Sequence, residues 1–265
     1  MEATPIPCDG QGPETPALSS PPGNAPEPKR PTPSERLNAF GWSRPESREF
    51  AETFGRVKAP FHGSPPGQKL YRQRKFHLPD GEVCVRFESH VGRKHLLGEE
   101  QVAARPPQMT VNLRFDFDDE GEFRFFLMRL SSDRLRIGWM AELSPGGGGH
   151  VEIRVQRKHA KIWQSVAERL LVALRVFDPK DPTFKAKMSD CVRVQTNKVL
   201  RLPFFQGRIV LFSDGTQIAI DDPGCAKAAW DRYKQLRCHT LKKFESIIER
   251  PPKVPGRPQI GRAHV

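Results

Sequence analysis

The stretch Thr110-Val111-Asn112-Leu113-Arg114-Phe115-Asp116-Phe117-Asp118 decides the reading of this chain. Val111, Leu113, Phe115 and Phe117 alternate with polar neighbours, the period-two pattern of a strand with one wet face. Asp119-Glu120-Gly121 then predicts a turn, and Glu122 to Leu130 a second strand whose apolar phase slips between Phe125 and Phe126, where a bulge is expected. Leu135, Ile137, Trp139, Ala141 and Leu143 give a third alternation. Val151, Ile153 and Val155 give a fourth, beyond Pro145 to Gly149. From His159 to Phe177 the period changes: Ile162, Trp163, Val166, Leu170, Leu174 and Phe177 recur at helical spacing and form one apolar stripe. A stripe of this kind buries itself against the apolar face of a sheet, so the fold class is α+β, an antiparallel meander packed by an amphipathic helix.

Toward the amino terminus, Lys69 to Leu78 and Glu82 to Glu88 flank Pro79-Asp80-Gly81, a hairpin turn in which each residue has a backbone role. The charge on its first strand suits a protected edge. His90 to Pro107 is a polar connection with a helical turn near Leu96. With the meander this makes about six antiparallel strands and one helix between Lys69 and Phe177, an element order similar to that of the polo-box module, a fold used for protein recognition in kinases and centriole proteins. The resemblance is one of order only, and it implies a recognition role without assigning residues to it.

Toward the carboxyl terminus, Pro179 and Pro182 open a linker to Met188, and Val192 to Thr196 and Val199 to Leu202 are short strands. Arg208 to Phe212 and Thr216 to Ile220 form a hairpin around Ser213-Asp214-Gly215. Asp221-Asp222-Pro223 has the cap and first-turn proline of a helix start. Apolar residues from Ala226 to Ile248 then predict one long helix ending at Arg250, before Pro251-Pro252. The organisation expected is a leader over 1–66, a sheet-and-helix region over 67–178, a second strand group with the long helix over 179–250, either separate from the first or packed with it, and a tail over 251–265.

The leader holds more than half of the 26 prolines and few apolar residues, so it is expected to be disordered. Within it Leu37, Phe40, Trp42, Phe50 and Phe54 could form a short docking element, with Pro45 interrupting any long helix. Residues 260–265 match one reading frame of a short-read sequencing adapter, and on that reading they are non-native and the natural chain continues past 259. Five scattered cysteines, no secretory apolar run and no apolar segment of membrane-spanning length point to a reducing compartment, cytoplasmic or nuclear.

Catalysis finds little support. His90 and His95 lie in a polar stretch without cysteine and are expected at the surface. Cys191 reads as a small buried residue. Gly146 to Gly149 precedes a strand rather than a helix and is a hairpin loop, not a phosphate cradle. Asp116, Asp118, Asp119, Glu120 and Glu122 lack the order of a calcium loop and read as an exposed acidic turn. No metal, cofactor or acid–base pair is implied. The charge is more informative: 43 Lys plus Arg against 31 Asp plus Glu, a formal +12, favours anionic partners. Two basic groups stand out, Lys69, Arg72, Arg74 and Lys75 on the first hairpin, and Lys227, Arg232, Lys234, Arg237, Lys242 and Lys243 on the last helix. The expected function is a non-catalytic protein-interaction or scaffold module with an unidentified protein partner; the alternative is sequence-independent binding of RNA or DNA through these two groups.

Overall fold

The computed structural model describes residues 30–57, 59, 61–66, 72–74, 86–132, 135–144, 147–196 and 198–251. In chain order the elements are α1 (Pro33–Ala39), α2 (Arg44–Phe54), β1 (Phe61–Ser64), β2 (Arg72–Arg74), the π-helical turn α3 (Val91–His95), β3 (Gln101–Ala104), β4 (Met109–Phe117), α4 (Glu120–Leu130), β5 (Met140–Leu143), β6 (Gly149–His159), α5 (Ala160–Ala173), α6 (Phe184–Cys191), β7 (Leu200–Arg201), β8 (Arg208–Phe212), β9 (Gln217–Ile220), α7 (Pro223–Gln235) and α8 (Leu241–Glu249). They build two antiparallel sheets, β2-β1-β3-β7 and β4-β6-β5-β8-β9. The class is α+β, and Thr32–Val265 is one compact unit.

The leading strand forms as expected, but the face read as wet is covered, with Thr110, Asn112 and Arg114 buried, and α5 packs its stripe on the sheet except for Ile162, which is exposed. Leu113, Phe115, Phe117, Val151, Ile153 and Val155 share one core with Trp163, Val166 and Leu170. The sheet is not a simple meander. Residues 122–130 form α4, because the Asp119 side chain accepts from the Glu122 amide and caps a helix there. Phe123, Phe126 and Leu130, spaced by three and four, are its buried face, so the slip at Phe125 and Phe126 was a helical period rather than a bulge. With α4 carrying the chain over the face, β6 pairs with both β4 and β5, and β5 pairs onward with β8. The carboxyl-terminal hairpin therefore joins the same sheet, and the polo-box order of strands is not reproduced. The hairpin expected around Pro79-Asp80-Gly81 lies mostly outside the described residues, and 86–90 are helical rather than extended.

Three further differences have local causes. Helices begin at Pro33, well inside the expected leader, where Thr32 with Glu35 and Ser43 with Glu46 form two capping boxes. Pro45 sits in the first turn of α2 and starts that helix instead of breaking it. Its buried Phe50 and Phe54 meet Trp230, Tyr233 and Phe204 in a second core on the other face of the five-stranded sheet. Residues 101–104, read as polar connection, form a fully buried central strand. The long terminal helix is two helices, α7 and α8: between them His239 bridges Val155, and Thr240 caps α8 by accepting from the Lys243 amide at 3.2 Å. The glycine loop is a β5–β6 hairpin as expected, and a Cβ on Gly149 would lie 2.7 Å from the Glu142 carbonyl.

Candidate anion-binding surface

The fold separates the basic residues into neutralised and free sets. Lys69 and Lys75 lie outside the described residues; Arg72 and Arg74 are on β2, at the edge of the four-stranded sheet. On α7, Lys227 pairs with Asp231 at 2.6 Å and Glu46 at 3.2 Å, Lys234 pairs with Glu46 at 3.2 Å and Asp231 at 3.3 Å, and Arg232 pairs with Asp214. Burial opposes ionisation of Glu46, but the Ser43 hydrogen bonds and these two lysines bring its carboxyl down to about 2. The basic face of α7 thus clasps α2 and offers little free charge.

Arg237, Lys242 and Lys243 have a different setting. His239 donates its amide to the Arg154 carbonyl at 2.9 Å, and its own carbonyl accepts from the Gln156 amide at 3.0 Å. The segment 236–243 therefore runs beside the end of β6. That end and the first turn of α5, Arg154 to Trp163 together, supply Arg157, Lys158 and Lys161. Neither segment contains an acidic residue. Trp163 ties the pieces together: its indole donates to the Gln156 carbonyl at 2.9 Å and its ring meets Phe244 edge-on at 5.8 Å. Among the described residues none of Arg157, Lys158, Lys161, Arg237, Lys242 and Lys243 makes an ion pair. The nearby acid Glu245 is occupied by both guanidinium arms of Arg169, at 3.1 and 2.8 Å.

Helix direction adds to this potential. Trp163 and Phe244 lie near the starts of α5 and α8, while Val172 and Ile248 line one groove near their ends, so the two helices run the same way. Both positive dipole ends open at the cationic end, and each first turn carries lysine and no acid. His239, at the centre, is pushed down to about 4 by burial, then by Arg237 and Lys243; its Nε2 accepts from the Gly138 amide at 3.1 Å, so it is a neutral strut. Sequence reading found Arg237, Lys242 and Lys243 but missed Arg157, Lys158 and Lys161, because they lie where a strand end passes into a helix, in a stretch read for its apolar residues. The acid-free run from Arg154 to Trp163 was the available signal.

A second polar cluster lies inside the fold, on the face of β4 and β6 away from α5. Arg114 Nε is 3.1 Å from Glu152 and its Nη2 donates to the Arg201 carbonyl at 2.6 Å; His150 is 3.0 Å from Asp116, and Arg193 is 3.5 Å from the same carboxylate. Asp116 is thus inside a charge network rather than on an exposed turn. Burial raises Glu142, and raises Glu152 to about 7 against the pull of Arg114. The adjoining cavity is about 10 Å³, the space of one water molecule, which leaves no room for a substrate. Among the described residues no His, Cys, Asp and Glu group is arranged to hold a metal. His95 is buried rather than at the surface: Nδ1 accepts from the Val102 amide at 3.1 Å, Nε2 is 2.9 Å from the Pro203 carbonyl, and burial lowers the ring to about 4. His90 pairs with Glu100 at 3.0 Å. Cys191 is buried, which pushes its thiol far above the range where it could act as a nucleophile.

At the far ends of α5 and α8 an open groove of about 370 Å³ is lined by Val172, Ala173, Phe184, Met188 and Ile248, with Glu168 and Arg169 at its border. No helix among the described residues is long and apolar enough to cross a membrane. No family model matches the chain and no curated protein matches its sequence.

Proposed function

We propose that this protein binds nucleic acid through its phosphates, without sequence selection, on the cationic end formed by Arg157, Lys158, Lys161, Arg237, Lys242 and Lys243. The observation that carries this reading is the convergence of two acid-free segments whose six cations make no ion pairs. Each such cation releases a condensed counterion when it meets a phosphate, so affinity falls with salt. If all six engage a duplex, the slope of log K against log salt is expected to be about −5. Fluorescence anisotropy of a labelled random duplex across a salt series tests it. Failure to bind even at low salt rules the reading out.

A second reading, protein recognition, is supported by the groove at the other end of α5 and α8. Three helices bound an apolar trough, the form in which a fourth, amphipathic helix from a partner is accommodated. The expected outcome is that Ile248→Arg abolishes retention of a leucine-striped amphipathic peptide and leaves salt-dependent duplex binding unchanged. Peptide binding unaffected by the substitution rejects the groove.

A further inference from the structure

The cationic end also carries exposed apolar residues. Ile162 is 44 % exposed and Met109 is 45 % exposed, although the rest of the apolar stripe on α5, Trp163, Val166 and Leu170, is buried. Ile162 stands about 100° around the helix from Trp163, off the face that meets the sheet. Met109 is the strand partner of His159, the cap residue of α5, so it lies beside the first turn of the helix that carries Ile162. Lys161 immediately precedes Ile162, and Lys158 is the strand partner of Thr110, the neighbour of Met109.

We infer that this surface docks on the minor groove of a nucleic-acid duplex, with Ile162 and Met109 as the groove-contacting residues that press against a base step and bend the duplex. The inference rests on the phosphate-binding reading above and adds the form of the ligand and what is done to it. Its basis is complementarity of pattern. The minor groove of B-form DNA is about 6 Å wide, floored by sugars and base edges and walled by phosphates. Exposed aliphatic residues set beside lysines match the inverse of that arrangement, and aliphatic wedges at such positions partly unstack a step and bend the helix axis. An anionic membrane also attracts cations around an apolar centre. Helices that lie on lipid, however, offer a long apolar face, whereas α5 and α8 have turned theirs inward as Trp163, Val166, Phe244 and Ile247. Two half-exposed aliphatic side chains suit a narrow groove better than a bilayer.

The test uses the full chain and a short mixed-sequence duplex carrying a donor and an acceptor dye at its ends. Binding of the unaltered chain is expected to raise energy transfer as the ends approach. The double variant Met109→Ala/Ile162→Ala is expected to bind roughly tenfold more weakly and without the rise, while keeping the same salt slope. Its denaturation midpoint verifies that it is folded. A duplex bound without a change in energy transfer, or bent equally by the double variant, overturns the inference and leaves phosphate binding standing. Absence of salt-dependent duplex binding removes the phosphate-binding reading itself. Retention on phosphatidylserine vesicles but not on duplex overturns the inference in favour of a membrane surface.

Discussion

At the scale of single residues, Glu152 makes the sharpest claim. Its carboxyl is raised from an ordinary 4.5 to about 7, first by burial and against the opposing pull of Arg114. A folded-state value above the unfolded one means that the folded chain holds its proton more tightly, so this contribution to stability is complete below about 4.5 and is lost as pH rises through about 7. At most about 3 kcal/mol is at stake across that window, since each unit corresponds to about 1.4 kcal/mol. Glu152→Gln keeps the shape and removes the titration. Urea unfolding between pH 5 and pH 8 is expected to show a falling stability for the parent and a flatter profile for the variant; parallel profiles contradict the assignment. Residues of this kind were beyond sequence reading. Glu152 and Arg154 were the wet positions of an alternating strand, and nothing local reveals that a second layer covers them. The same applies to Ile162, which shares the helical spacing of its buried neighbours and lies just outside their arc, and to His95, whose polar surroundings in sequence concealed hydrogen bonds to the Val102 amide and the distant Pro203 carbonyl.

At the scale of elements, local signals decided more than apolar rhythm did. The strand β4, helix α5, the β8–β9 hairpin and the start of α7 were legible because alternation, stripe or cap each pointed one way. The helix α4 was not, because Phe123, Phe125, Phe126 and Leu127 satisfy both periods when short windows are read; Asp119 three residues before Glu122 was the deciding signal. Thr240 played the same part at the break between α7 and α8. The starts of α5 and α8 carry Lys161 and Lys242 where a helix favours acids, an arrangement that costs each helix a few tenths of a kcal/mol. Lys242→Glu is therefore expected to stabilise the free chain by about 0.5 kcal/mol while weakening duplex binding. Thermal unfolding and anisotropy together check both signs, and a loss of stability counts against the dipole argument.

At the scale of the whole molecule, the five-stranded sheet has one face that is apolar across β4, β6 and β5 and one that changes character, from Met140, Val210 and Phe212 at one side to Arg114, Asp116 and Glu152 at the other. Long-range ties cross the second face: Asn112 donates to the Thr53 carbonyl at 3.3 Å, Tyr233 bonds to Asn112, and the Trp42 indole donates to the Pro223 carbonyl at 2.9 Å. The part of the expected leader that holds Leu37, Trp42, Phe50 and Phe54, read as a docking element, is thereby part of the core. Phe50→Ala, in the middle of five aromatic rings, is expected to cost about 3–5 kcal/mol, measured by denaturant unfolding. A cost below 1 kcal/mol, the range of a surface substitution, denies α2 that role.

The co-directional pairing of α5 and α8 has a consequence for encounter. Positive potential gathered at one tip turns the molecule in the field of an extended polyanion before contact, so arrivals are pre-aligned and their rate declines as electrolyte is added. Since α5 is about 21 Å long, the trough around Val172 and Ile248 opens at the opposite end from that tip, and on the proposed reading a strand held there leaves it unobstructed.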